Sequence, residues 1–268
     1  MGEINLSKND PHAASLTVFG IQRSGTNFLE RIIRDNGTHV AVQNTWARLV
    51  WKHSYQLDIK PPFVSSQGKD IGKFGHKEVY DKLISGNYKA VYIYKNPYSW
   101  LNSITNKGVD LTVTYPEVTR PNLEKENPEL MFGTLNLISL TKHWTEHTRW
   151  WYETLQKSKS SAKPFLFFKY EDIIKSAEET KKISIHIFNY YDIGFKNKPG
   201  EIKIPERVAQ SERFDENKRS FYLNENFDKF SWNHIQRINE HLDKDMVKKL
   251  GYKIIESQEE YQKHKVGL

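Results

Sequence analysis

Residues Gly20-Ile21-Gln22-Arg23-Ser24-Gly25-Thr26-Asn27-Phe28-Leu29 constrain the fold of this chain more than any other stretch. An apolar run of β character, Ser15-Leu16-Thr17-Val18-Phe19, precedes them. Phe28-Leu29-Glu30-Arg31-Ile32-Ile33-Arg34 follows, its apolar residues at helical spacing, before Asn36-Gly37. A strand that turns through glycines into a helix makes an anion site. The glycines let backbone approach a ligand closely, and the first helical amides point outward with the positive end of the dipole. A phosphate-type group is expected at this turn.

Downstream, strands alternate with helices. Residues 38–42 and 47–53 read as second and third strands, the latter ending in Lys52-His53. Residues 54–75, rich in Gly, Pro, Ser and Lys, read as a long loop. Helix is expected over 77–84, then a buried β-branched and aromatic strand over 89–94. Helix resumes at Tyr98 to about Thr105, and a second irregular insertion covers 106–133. The next helix carries Leu137, Leu140, Trp144, Trp151 and Leu155 on steps of three, four or seven, which marks a core-facing stripe. A strand over 163–169 leads through Tyr170-Glu171-Asp172 into one helix reaching about Tyr190. After a polar stretch over 194–230, a final helix runs from Ser231 to Leu250 and stops at Gly251. This order predicts a three-layer α/β domain with a mainly parallel sheet flanked by helices. Residues 1–14 are a loose lead-in and 15–268 a single domain.

The formal net charge of +7 points to an anionic partner. The surplus is dispersed, with no run of five like charges, which argues against a basic nucleic-acid tail. With no cysteine, disulfides, thiolate chemistry and zinc-ribbon sites are excluded. The first residues lack the basic start and apolar segment of a signal peptide, and no stretch approaches the ~18 apolar residues of a membrane span. A soluble, cytoplasmic protein is expected.

The loop can be tested against the nucleotide triphosphate motif G-x-x-x-x-G-K-[ST]. Gly20 and Gly25 have its separation, but Thr26-Asn27 stands where Lys-[Ser/Thr] is required. The lysine that reaches terminal phosphates is missing, and an amide replaces the metal-binding hydroxyl, which weakens a kinase reading. Arg23 instead brings a permanent charge and a planar fork suited to a tetrahedral oxyanion.

Gln22-Arg23-Ser24-Gly25-Thr26-Asn27-Phe28-Leu29 resembles the 5′-phosphosulfate loop of sulfotransferases that use 3′-phosphoadenosine 5′-phosphosulfate (PAPS). Tyr94-Lys95-Asn96-Pro97-Tyr98-Ser99-Trp100-Leu101-Asn102-Ser103 is similar to that family's 3′-phosphate segment, whose basic residue and serine are eight positions apart, like Lys95 and Ser103. Phe168-Lys169-Tyr170-Glu171-Asp172-Ile173 and the tail closing in Leu250-Gly251-Tyr252 also resemble family segments. The resemblance covers about residues 15–105 and 135–255. It implies a P-loop-containing nucleotide hydrolase-like fold and PAPS as donor, with adenosine 3′,5′-bisphosphate (PAP) as product and no metal required. It implies cofactor contacts from Gln22, Arg23, Ser24, Gly25, Thr26, Asn27, Lys95 and Ser103, and a 3′-phosphate clamp echoed by Lys218 and Arg219.

The chain departs from the family pattern at several positions. Arg23 replaces the proton-donating lysine of many cytosolic members, which implies electrostatic stabilisation. Asn27 replaces a second threonine, and Lys95 replaces arginine. The acceptor needs a base, and His53 is the first choice because Lys-x-His occurs there in cytosolic members; His76 is the competitor. Either can be neutral near physiological pH. Glu171 and Asp172 read as helix caps outside the site. The acceptor is expected to be a hydroxyl, with a lean toward carbohydrate from the two insertions and the many aromatics. The alternatives are a nucleotide-dependent kinase of related fold and a non-catalytic polyanion-binding module.

Overall fold

A computed structural model of the chain describes residues 14–38, 40–42, 53, 55–57, 63–64, 70–71, 76–107, 128–132, 135–209, 212–213, 219, 223 and 229–264. At its centre are four parallel strands. Strand β1 (Ala14–Gly20) lies between β2 (Val40–Val42) and β3 (Ala90–Tyr94), and β4 (Leu166–Lys169) pairs with the far side of β3. The helices that matter for the site are α1 (Thr26–Asn36), α2 (His76–Ile84), α3 (Pro97–Lys107), α4 (Leu137–Ser158), α5 (Tyr170–Ile174) and α6 (Ala177–Tyr190).

Side chains alternate across the two central strands, and both faces are apolar because both are covered. Leu16, Val18, Val91 and Ile93 face a cluster built with Phe28, Leu29, Ile32 and Ile33 of α1, Ile173 and Ile174 of α5, and Ile187 and Phe188 of α6. Phe19 and Tyr92 face the opposite cluster with Val79 and Leu83 of α2 and Trp151 of α4. This is the expected three-layer arrangement. The α4 stripe is core as expected, with Leu137, Leu140, Trp144 and Trp151 fully buried.

Two helices are broken where one was expected. Ser176 ends the first by capping α6, its side chain accepting from the Glu179 amide, so 170–190 is two helices. Asp243 does the same from Met246, dividing the C-terminal helix into α7 (Trp232–His241) and α8 (Lys244–Lys249). A further helix, α9 (Gln258–Lys263), follows. The strand expected over 47–53 falls outside the described residues except for His53, which lies in a turn. Within the first insertion, Phe63–Val64 pairs antiparallel with Asp70–Ile71; within the second, Met131–Phe132 pairs with Leu135–Asn136.

The register positions the site. Gly20 pairs with Ile93, and Ile93 with Phe168, so three strands end level at the carboxyl edge. Two residues beyond that row stand Gln22, Lys95 and Tyr170.

Candidate active site

The loop after β1 is shaped by three backbone constraints. Arg23 (φ 67°) and Gly25 (φ 89°) both adopt the left-handed conformation, with Ser24 between them. Alternation of this kind turns successive amides inward as an anion-binding nest. A side chain at Gly25 would enter the ring of Tyr170, and one at Gly20 would meet Ser24 Oγ and stand 2.7 Å from the Ile93 carbonyl. Both glycines are therefore sites of close approach. Gly25 is also the N-cap of α1 and supplies no side-chain cap, and the first turn of α1 holds no acidic residue. Ser24 is fully buried, and its hydroxyl has no hydrogen-bond partner among the described residues. A buried hydroxyl, a nest and an uncapped helix start together suit an anion.

Gln22 and Arg23 are half-buried, Thr26 is buried and Asn27 is exposed. Trp100 of α3 fixes the loop from behind, its Nε1–H donating to the Gln22 carbonyl at 2.6 Å.

Lys95 follows β3 and is 1 % exposed. Its ammonium lies 5.2 Å from the centre of the Tyr170 ring, so Tyr170 touches both Gly25 and Lys95. Burial pulls the Lys95 pKa down to about 7; the Glu171 carboxylate opposes this fall and the Arg23 guanidinium adds to it. Lys95 is therefore poised to take a proton when an anion arrives. Ser103 is buried on α3. Asn96 caps that helix, its Oδ1 accepting from the Tyr98 and Ser99 amides.

Glu171 stands in the first turn of α5, where a helix-cap role was expected, and also reaches a distant turn. Its carboxylate is buried and accepts from the Asn96 amide at 3.0 Å and from the Tyr252 hydroxyl at 2.7 Å. Burial raises its pKa, while these bonds and Lys95 hold it down. It braces the turn that carries Lys95.

His53 is buried and joins the loop through its ring. Nδ1 lies 2.5 Å from the Gly20 carbonyl. A carbonyl only accepts, so the proton is on Nδ1, and Nε2 carries the lone pair of the neutral ring. His76 opens α2, and its side chain is outside the described set. Arg219 is buried, whereas Lys52 and Lys218 lie outside the described residues.

A family model, the sulfotransferase domain, matches residues 14–250. This chain belongs to the sulfotransferase domain family. No curated protein matches it significantly. Membership carries the P-loop-like α/β fold and, in general terms, sulfuryl transfer from a donor to an acceptor. Among the described residues of this family member, no helix is long and apolar enough to cross a membrane.

Sequence reasoning about this sulfotransferase did not anticipate the contacts that Tyr170, Glu171 and Tyr252 make around the candidate site. Tyr170 and Glu171 stand in a segment that resembles the family, but their contacts run to Gly25, Lys95 and Asn96, far off in sequence.

Proposed function

We propose that this chain transfers the sulfuryl group of PAPS to an acceptor hydroxyl, with carbohydrate the favoured acceptor class, and releases PAP. One observation carries the reading. An anion nest, a buried lysine and a histidine of defined tautomer converge at the carboxyl edge of the sheet, where open α/β folds bind ligands. PAPS carries anions at two separated positions and needs two cradles. The Ser24 hydroxyl, without a partner among the described residues, and the close approaches at Gly20 and Gly25 fit one of them.

PAPS, when bound, supplies an activated sulfuryl group. Gln22, Arg23, Ser24, Gly25, Thr26 and Asn27 hold its 5′ end, and Lys95 with Ser103 holds the 3′-phosphate, with Lys218 and Arg219 assisting. Arg23 stabilises charge as it develops and does not itself give up a proton. His53 Nε2 removes the proton from the acceptor hydroxyl; His76 is the second candidate for that task. The proposal takes residues 15–268 as one cytoplasmic domain with insertions near 54–75 and 106–133.

The test is a labelled-sulfate transfer screen from PAPS across glycans, phenols, lipids and tyrosyl peptides. Labelling of a glycan hydroxyl is expected. Labelling confined to another class would move the acceptor, and phosphate transfer from ATP with magnesium but no sulfate transfer would contradict the reading.

A further inference from the structure

Three ring N–H groups on two helices hold backbone carbonyls of the site. Trp100 of α3 donates to Gln22, as described above. Trp144 of α4 donates Nε1–H to the Lys95 carbonyl at 3.0 Å. His147, three residues further along α4 and so on the same face, has Nε2 at 3.1 Å from the His53 carbonyl. Trp144 and His147 are both fully buried. One face of α4 therefore reaches the backbone of both the lysine and the histidine.

The hydrogen bonds of His147 have a fixed direction. Its Nε2 faces a carbonyl, which only accepts, so Nε2 carries the proton. Its Nδ1 then accepts from the Tyr92 hydroxyl at 2.9 Å. Tyr92 stacks between Trp151 and Phe167 at 4.9 Å from each ring centre, and burial raises its pKa, which keeps it a donor. The series runs from Tyr92 on the central strand β3 to His147, from His147 to the His53 carbonyl, and from the His53 ring to the Gly20 carbonyl.

We propose that His147 is a positioning residue for His53. By holding the His53 carbonyl, it places the His53 ring against Gly20, which keeps the proton on Nδ1 and the lone pair on Nε2. A histidine whose backbone is free to shift has no such constraint and returns to the tautomer mixture of an ordinary imidazole, in which Nε2 is commonly the protonated nitrogen. The inference rests on the proposed role of His53 as base, and its test does not need an acceptor.

The experiment is a ring-nitrogen NMR spectrum of the full chain labelled with ¹⁵N-histidine, with a His53→Gln sample identifying the His53 signals. In the wild type, neutral His53 is expected as the Nδ1–H form. His147→Leu should lose that pure state and show Nε2–H, whereas His147→Gln keeps an N–H donor for the carbonyl and should restore it. Calorimetric PAP affinity should be unchanged in both variants, a result that general damage to the fold would not give. A His147→Leu spectrum that still shows only Nδ1–H overturns the proposal. If that variant does not fold, Tyr92→Phe, which withdraws only the hydroxyl on His147 Nδ1, takes its place. A shift toward Nε2–H then supports the proposal, and an unchanged spectrum overturns it. Turnover that survives His53→Ala would instead remove His53 as base while leaving the tautomer result intact, so the two failures are separable.

Discussion

Arg23 holds a left-handed backbone at a position where a side chain costs about 1–2 kcal/mol relative to glycine. Keeping a guanidinium there fits a residue whose charge is needed at the nest. Arg23→Ala should lower turnover by roughly 10²–10³-fold, the usual loss of one transition-state donor. Steady-state kinetics with labelled PAPS would check this, and near-normal turnover would mean that the loop has another role. His53→Ala should lower kcat by about 10²–10⁴-fold while PAP affinity measured by calorimetry stays near that of the wild type. Lys95 gives a pH prediction. The unfolded chain keeps a proton on this lysine to about 10.5, the folded chain only to about 7. Between those values the unfolded state binds more protons, so this residue's contribution to stability improves as pH rises, and its cost is full below about 7. Lys95→Met should therefore stabilise the free protein by about 1–4 kcal/mol near pH ~6.5, less near pH ~9.5, while weakening PAP binding. Urea melts at the two pH values would check the sign. In the wild type, PAP affinity should fall as pH rises above about 7, because a neutral Lys95 must first take up a proton.

At the scale of elements, the strand–loop–helix unit is the part most open to a local change. Gly25→Ala combines a left-handed φ of 89° with a side chain directed into the Tyr170 ring. A loss of about 2–4 kcal/mol and of PAP binding is expected, measurable by thermal melting and calorimetry. This unit was legible in sequence because every signal in it is local: apolar strand, glycine spacing, helical periodicity. The breaks at Ser176 and Asp243 were less so. Apolar periodicity continues across both, and the breaks come from side chains that cap the next helix. Ser176-Ala177-Glu178-Glu179 did carry a helix-start pattern of Ser followed three residues later by Glu, which periodicity outweighed.

Over the whole molecule, the sheet register brings together residues that sequence keeps far apart. Gly20, Ile93 and Phe168 lie in one row, so the nest, Lys95 and the Tyr170-Glu171 pair emerge side by side. Lys95 and His53 stood out in sequence as candidates, Lys95 from its spacing to Ser103 and His53 from the family resemblance. The partners that hold them did not, since the Glu171–Asn96 bond spans 75 positions and the His147–His53 bond 94. A carboxylate at a helix start looks like a cap in sequence whether it serves its own helix or a distant turn. In the proposed function these pieces form a two-part clamp for a nucleotide with anions at both its 5′ and 3′ positions. Thermal melting with PAP, set against ATP with magnesium, tests that claim most directly. At a PAP concentration of about 100 times its Kd, a rise in Tm of roughly 5–10 °C is predicted, with a much smaller rise for ATP. Equal shifts from the two nucleotides, or no shift with PAP, would contradict it.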